Sequence, residues 1–367
     1  MPTKNKIGIV LGTRPEIIKL APVIYELERR NAPYFVIHTG QHYSENMDTI
    51  FWNTLKLAKP KYQLFIREST HARQTSEMLR QIDLILEMEK PDWALVQGDT
   101  NSTLAGALAA SKHKDLKLAH LEAGLRSFDR QMPEEINRLI VDRISHLLLT
   151  PTSESTEFLL QEGVDPHSIA QVGNTVEDTL NTHIDQATQS SQILTTLNIN
   201  PQSYILITIH RQENTESKER LLPILDALFD GAQSRNLSVI FPIHPRTRQR
   251  LHQWDYRTPT HVQLIDPVDY YDFLLLEKNA RLVATDSGGV QEESCILHVP
   301  CITLRENTER PETVRLGANK LVGIQKHKIA LGMEEQINKT TQGTMASWKT
   351  PYGGGLASER VVNLLLQ

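Results

Sequence analysis

Short apolar runs alternate with stretches of helical periodicity almost from end to end of this chain, and that alternation leaves few ways to fold. A strand that is apolar throughout is buried on both faces, as in a parallel sheet covered by helices on either side. In the first half the strand candidates are IGIVL from Ile7, YFVIH from Tyr34, WALVQ from Trp93, LKLAHL from Leu116 and HLLLT from His146. In the second half they are YILITI from Tyr204, SVIFPI from Ser238, VQLI from Val262, RLVAT from Arg281 and VPCITL from Val299. The first helix opens on Pro15 and sets Ile17, Leu20, Ala21, Ile24 and Leu27 at helical spacing, with Lys19 off that stripe. The polar stretch VGNTVEDTLNTHIDQATQSSQILTTLNINPQSY separates the halves and predicts a hinge near Gly173.

A chain of 367 residues accommodates about two domains at roughly 150 residues each. The formal net charge of -5 gives no electrostatic reason to expect nucleic acid or an anionic membrane as partner, so an anionic ligand must be met by a local cluster of cations. Cys295 and Cys301 sit in apolar surroundings and build no disulfide framework, which suits a reducing compartment. The opening MPTKNK leads straight into the first strand, and no apolar run approaches the length of a membrane span. These features predict a cytoplasmic enzyme or binding protein.

In open parallel sheets the ligand lies beyond the carboxyl ends of the strands, so the residue after each apolar run is the informative one. Those positions hold Arg14, Gln41 and His42, Asp99 and Glu122 in the first half, and His210, Arg211, His244 and the segment TDSGGVQEE from Thr285 in the second. If the two sheets face each other, one cleft collects them all. After the first strand a dinucleotide site would carry a G-x-G-x-x-G turn, whereas here Gly12 is followed by Arg14 and Pro15.

Several of these residues carry two readings. Ser287, Gly288 and Gly289 open a helix and can cradle a diphosphate on backbone N–H groups, or they are ordinary helix capping. Arg14, with Lys19, can meet the same anion, or Arg14 pairs with Glu16 at the surface. MPEEINRLIVDR is a second helix begun by proline, with Ile136, Leu139, Ile140 and Ile144 as its buried stripe and Glu134, Arg138 and Asp142 on the opposite side. That side is either a solvated ion-pair face or the wall of a site. Asp99 can cap the helix that follows it. His38 with His42, or His210 with His244, could in principle hold a metal, but no H-E-x-x-H or cysteine pair supports one, and no metal or cofactor is expected.

GTRPEIIK, QGDTN, HLEAGLRS, MPEEINR, VGNTV, IHRQEN, TDSGGVQEE and TERPE, in this order, resemble the UDP-N-acetylglucosamine 2-epimerases of the non-hydrolysing type, from about residue 6 to the C-terminus. The resemblance implies an α/β fold of two Rossmann-like domains facing a deep cleft, of the glycosyltransferase-B type. The domains would be residues 1–173 and 174–352, with 353–367 returning as a helix to the first, and the protein a homodimer. It implies reversible epimerisation of UDP-N-acetylglucosamine to UDP-N-acetylmannosamine, by elimination of UDP to 2-acetamidoglucal and re-addition, feeding cell-surface polysaccharide synthesis.

Asp99, Glu122, Glu134 and His210 match the family's catalytic positions, with proton transfer assigned to Glu122 and Glu134, support to Asp99, and a diphosphate contact or protonation to His210. Arg14, Lys19, Arg138, Ser287, Gly288 and Gly289 would bind the UDP moiety, Glu293 its ribose, and Phe273 would lie near uracil. The arginine after the first strand thereby gains a reason, since a diphosphate that departs as an anion calls for a cation. Many members bind a second UDP-N-acetylglucosamine as an activator near Gln41 and His42, with His244 a further candidate. Ser44 stands where glutamine is common, and HRQEN departs from HRRES, which leaves open both the activator and a diacetamido-uronic acid nucleotide as substrate.

Overall fold

In a computed structural model of the chain, which describes residues 5–41, 51–66, 68, 70–341 and 348–367, the apolar runs form two sheets. The first consists of β1 (Ile7–Leu11), β2 (Tyr34–His38), β3 (Tyr62–Gln63), β4 (Trp93–Gln97), β5 (Lys117–Leu121), β6 (Leu147–Thr150) and β7 (Ile169–Gln171), in the order β3-β2-β1-β4-β5-β6-β7. The second consists of β8 (Tyr204–Thr208), β9 (Ser238–Pro242), β10 (Val262–Ile265), β11 (Leu282–Thr285), β12 (Cys301–Thr303) and β13 (Asn319–Leu321), in the order β10-β9-β8-β11-β12-β13. Described strand pairs are parallel throughout: Val10 stands between Ile37 and Val96, and Ala284 lies opposite Ile207. The fold is α/β with two Rossmann-like sheets, as the apolar runs require.

Each sheet is wound outward in both directions from a central pair, β1 with β4 and β8 with β11. At such a switch point the two connecting loops leave to opposite sides and open a crevice at the strand ends. The loops so placed begin at Gly12 and Gly98 in the first sheet and at Ile209 and Asp286 in the second.

Two compact units result, Met1–Thr179 with Pro351–Gln367, and Leu180–Thr350. The core of the first gathers Val10, Ile37, Val96, Met78, Ile82 and Ala105. That of the second covers one sheet face with Leu225, Phe229 and Met333, and the other with Leu276, Val290 and Cys301. The division between units falls inside the helix Thr175–Ser190, a few residues beyond Gly173. Gly173 has φ +98°, and a Cβ there would stand 2.3 Å from the carbonyl oxygen of Tyr352, so the position admits only glycine where the returning segment crosses. That segment is held by carboxylates: Glu177 accepts from the amides of Gly354 (2.7 Å) and Gly355 (3.2 Å), and Asp178 from the amide (2.8 Å) and hydroxyl (2.6 Å) of Ser358. Asp178 thus caps the helix Ala357–Leu365, which packs on the helix Arg14–Arg29. Among the described residues no helix is long and apolar enough to cross a membrane.

β2 ends on His38, a buried ring whose Nδ1 lies 2.8 Å from Gln63 Nε2 and whose pKa burial pulls down to about 4. The folded chain therefore keeps this ring neutral where the unfolded chain protonates it. Stability contributed by the neutral ring is lost as pH falls from about 6.5 towards about 4, by on the order of 3 kcal/mol in all. Urea unfolding of wild type and His38→Gln across pH 4–8 should show a flatter acid limb in the variant. Equal slopes would mean that His38 does not carry the effect.

Candidate active site

The first switch point is organised around Glu122. β5 ends at Leu121, and the next residue turns into the left-handed region, φ +67°. For a residue other than glycine this costs roughly 1–2 kcal/mol. The turn carries the carboxylate inward, where Glu122 is only 3% exposed. Lys19 Nζ meets its Oε1 at 2.5 Å, Gln97 donates to its Oε2, and Asn174 Nδ2 approaches Oε1 at 3.5 Å. Lys19, expected off the apolar stripe, is itself buried, because the helix Arg14–Arg29 starts at the end of β1 and packs with this turn inward. A buried ammonium needs such a partner.

Glu16 does not wait at the surface for Arg14. It is buried, and accepts from the amides of Gly12 (2.9 Å) and Thr13 (2.7 Å) and the hydroxyls of Thr100 (2.8 Å) and Thr103 (3.2 Å). Burial lifts its pKa above the usual carboxyl value although these donors oppose the shift. The Arg14 guanidinium lies over the ring of Phe51, 5.8 Å from its centroid. Gln41 reaches the start of the helix Asn101–Ala110, where its Oε1 accepts from the amide (3.0 Å) and hydroxyl (2.8 Å) of Ser102. His42 and Ser44 lie outside the described residues.

The helix Pro133–Ile144 is the main correction to the expected pattern. Its buried residues are Glu135, Asn137, Arg138, Val141 and Asp142, while Ile136 and Ile140 are 45% and 37% exposed. Arg138 and Asp142 face inward, where both have charged partners, as does Glu135 beside them. Arg138 reaches the Asp99 carboxylate and Glu135 (2.7 Å), and Glu135 also accepts from the amides of Ser127 (3.0 Å) and Phe128 (2.9 Å). Asp142 meets His120 Nδ1 at 2.6 Å and Arg126 Nη1 at 2.7 Å, and Arg126 continues to Glu162 at 2.7 Å. Burial alone would raise the pKa of Asp142, but the His120 and Arg126 contacts outweigh it and hold the carboxyl below its ordinary value. Asp99 is therefore held by Arg138, and the cap of the helix Asn101–Ala110 is Thr100, which accepts from the Thr103 amide at 3.1 Å. Glu134 stands half-buried in the first turn of the helix Pro133–Ile144.

In the second unit the switch point is built on Asp286, fully buried at the end of β11. It accepts from the amides of His210 (3.1 Å) and Arg211 (3.1 Å) and from Asn214 Nδ2 (3.0 Å), and it pairs with His210 Nδ1 at 2.9 Å. These contacts, His210 first among them, outweigh burial and hold its carboxyl low. The His210 side chain is 61% exposed, so its ring is anchored on one side and open on the other. Ser287, Gly288 and Gly289 follow at the start of the helix Gly288–Ile296; the Ser287 amide donates to Thr285 Oγ1 at 2.9 Å, while the first-turn position of Gly288 and Gly289 and the helix dipole favour an anion. Glu293 and Phe273 are half-buried, and His244 is exposed and caps the helix Pro245–Gln253 by accepting from the Arg246 amide at 3.2 Å. Among the described residues no group of three or more His, Cys, Asp or Glu side chains is placed to hold a metal ion.

Arg14, Lys19, Gln41, Asp99, Glu122, Glu134 and Arg138 thus belong to the first unit, and His210, His244, Phe273, Ser287, Gly288, Gly289 and Glu293 to the second. Strand-end reading gave no role to the residues that hold these in place: Asp286, although its segment was singled out, and Glu135, Gln97 and Asn174. Asp286 and Gln97 do close or follow strands and were open to the same rule; Glu135 and Asn174 carry no such mark.

Residues 25–366 match the family model described as UDP-N-acetylglucosamine 2-epimerase. The chain is 50% identical over 366 residues to the UDP-N-acetylglucosamine 2-epimerase of Methanocaldococcus jannaschii, with 98% of each covered. It belongs to the UDP-N-acetylglucosamine 2-epimerase family. Membership makes it an enzyme, an isomerase. The crystal structure of the M. jannaschii UDP-GlcNAc 2-epimerase in complex with UDP-GlcNAc and UDP is similar to this family member at a TM-score of 0.90 and 49% identity, covering 98% of this chain and 99% of that one. The UDP-2,3-diacetamido-2,3-dideoxy-D-glucuronate 2-epimerase of Pseudomonas aeruginosa is 40% identical over 363 residues, with 98% and 99% covered.

The two glycines of this epimerase's helix start differ in what surrounds them. A Cβ on Gly288 would stand 2.5 Å from Glu309 Oε1, a buried carboxylate paired with Arg305 at 2.9 Å, whereas on Gly289 it would meet nothing closer than Ser287 Oγ at 3.9 Å. Gly288→Ala should lose about 1–3 kcal/mol of stability. Gly289→Ala should be neutral, or gain up to about 1 kcal/mol from reduced backbone freedom in the unfolded chain. Chemical denaturation of the two variants checks this, and equal losses would contradict it.

Proposed function

We propose that the protein interconverts UDP-N-acetylglucosamine and UDP-N-acetylmannosamine by inverting C2, as a step that supplies cell-surface polysaccharide precursors. C2 of this sugar has no neighbouring carbonyl to stabilise a carbanion, so the leaving group at C1 must carry the reaction. A base takes the C2 proton, the C–H electron pair becomes the C1–C2 double bond, and the C1–O electron pair departs with UDP. Return of a proton to the other face of C2 and of the UDP oxygen to C1 completes the inversion. The observation that carries this reading is Glu122, a carboxylate sealed from solvent at a strand end and paired with Lys19. A buried charge is costly unless it is paired, and such sites are where acid–base chemistry concentrates.

The roles divide between the units. Glu122 and Glu134 exchange the protons, and Asp99, held by Arg138, supports them electrostatically. Arg138, which pairs with Asp99 and Glu135, adds a further cation for the UDP moiety. Arg14 and Lys19 supply positive charge, and the Ser287 hydroxyl with the amides of Gly288 and Gly289 receives the diphosphate. His210, fixed through Asp286, meets the diphosphate with its open side, Glu293 takes the ribose hydroxyls, and Phe273 lies near uracil. The P. aeruginosa relative favours a second reading, in which the sugar is a diacetamido-uronic acid nucleotide.

The deciding experiment is turnover in D2O with UDP-N-acetylglucosamine and, separately, with the diacetamido-uronate nucleotide. The better substrate should acquire deuterium at C2 of the epimerised product, and Glu122→Gln should slow this by at least a hundredfold, as expected for loss of an acid–base group. Product without deuterium at C2 would exclude elimination through a solvent-exchanging base, and inertness of both nucleotides would remove the substrate reading.

We further propose that the outward apolar side of the helix Pro133–Ile144 packs against a second copy of the chain. Phe128, 69% exposed, lines one cavity with Leu139 and Ile140 there, so the exposed isoleucines of this side are part of an apolar surface that water disfavours. Light scattering should give a dimer for wild type and a monomer for the double variant Ile136→Asp with Ile140→Asp. A variant that stays dimeric would move the interface elsewhere.

A further inference from the structure

Glu277 has no part in the roles above. It lies in the last turn of the helix Tyr270–Lys278 and is fully buried, one helical turn beyond Phe273 and on the same side of the helix. Ser294 Oγ donates to its Oε1 at 2.9 Å. Its Oε2 meets no N–H or hydroxyl donor among the described residues, and the other group that hydrogen-bonds the side chain is the carboxyl of Glu293. Two ionised carboxylates can only accept, so a hydrogen bond between them requires a proton on one. The remaining titratable neighbours are the Cys301 thiol, with Cys295 beside it, and the Tyr204 hydroxyl, which donates to the Leu276 carbonyl. None of these brings a positive charge. Burial first, and the nearby Glu293 second, push the Glu277 carboxyl well above its ordinary pKa, which puts the proton on the buried partner.

We propose that Glu277 is a positioning residue for ribose recognition, a buried carboxylic acid that donates its proton to Glu293 and so fixes the Glu293 carboxylate for the hydroxyls of a uridine nucleotide. The proposal rests on the ribose role given to Glu293. A glutamate on a helix surface samples several rotamers, and a ligand must select one of them. A donor rooted in the core makes that selection in advance and leaves the remaining lone pairs of Glu293 for the two ribose hydroxyls. With Phe273 one turn earlier, a single helix face then serves both base and sugar of the nucleoside.

Calorimetric titration with UDP and with 2′-deoxy-UDP tests this on four proteins. Wild type should prefer UDP by roughly tenfold, the worth of one lost hydrogen bond. Glu277→Met, which keeps bulk but has no donor, should lose most of that preference while binding 2′-deoxy-UDP as wild type does. Glu277→Gln, whose amide donates to Glu293 and whose carbonyl still accepts from Ser294, should retain it. Glu293→Ala should lose it altogether. If Glu293→Ala keeps the preference, the ribose reading itself fails. If Glu293→Ala loses it and Glu277→Met does not, or Glu277→Met weakens both nucleotides equally, the positioning role fails alone.

A second readout bears on the proton. Because Glu277 stays protonated in the folded chain and ionises in the unfolded one, wild type loses stability as pH rises above about 4.5. Glu277→Gln has no such loss, so its melting temperature relative to wild type should climb between pH 4.5 and 8. A constant difference would show that Glu277 holds no proton and would overturn the proposal.

Discussion

The ion pair between Lys19 and Glu122 is the constraint on which the first unit's geometry turns. Removing both charges from water costs several kcal/mol per ion, and the left-handed backbone at Glu122 adds to that. Four separate pieces of chain offset it. The helix after β1 brings Lys19, β4 brings Gln97, β5 ends so as to turn Glu122 inward, and the link after β7 brings Asn174. Strand order thereby becomes chemistry, since only at the β1/β4 switch point do these pieces converge. Around the pair, Glu16, Asp142 and Glu135 each accept several hydrogen bonds, so the loops that carry functional groups are tied to carboxylates beneath them.

The second unit solves the corresponding problem with one buried carboxylate. Asp286 gathers two backbone amides, an asparagine and the His210 ring, and the ring remains open to solvent. The contrast follows from the tasks proposed. A base that removes a carbon-bound proton gains from a dry, preorganised setting, whereas a contact to a diphosphate can be made from a rim.

Much of the architecture was legible because a doubly covered parallel sheet leaves an apolar imprint in its central strands. β3, β7 and β13 escaped notice, being edge strands of two or three residues with too little burial to leave one. The strand-end rule pointed to Asp99, Glu122 and His210, and the structure puts each on the loop after a strand, as sheet geometry requires. It could not see that Lys19 turns inward, since periodicity measures apolarity and a lysine buried against a carboxylate counts as a solvent-facing residue. The helix Pro133–Ile144 was misread for the same reason: Ile136 and Ile140 mark its outward side while Ile144 still packs on the core, and Glu135, Arg138 and Asp142 are buried in ion pairs. Glu277 lay hidden at the end of the apolar run Leu274–Leu276, because a protonated glutamate is spelled like an ionised one.

The segment Pro351–Gln367 completes the first unit although the whole of Leu180–Thr350 precedes it along the chain. During synthesis from the N-terminus, the second unit can therefore close while the first still lacks its last helix. Over that interval Asp178 has no Ser358 to cap, Glu177 no Gly354 amide to meet, and the helix Arg14–Arg29 no helix Ala357–Leu365 against it. The ribosome thus imposes an order in which the unit begun first is completed only after the second has been made, with an apolar helix face left waiting for the segment Pro351–Gln367.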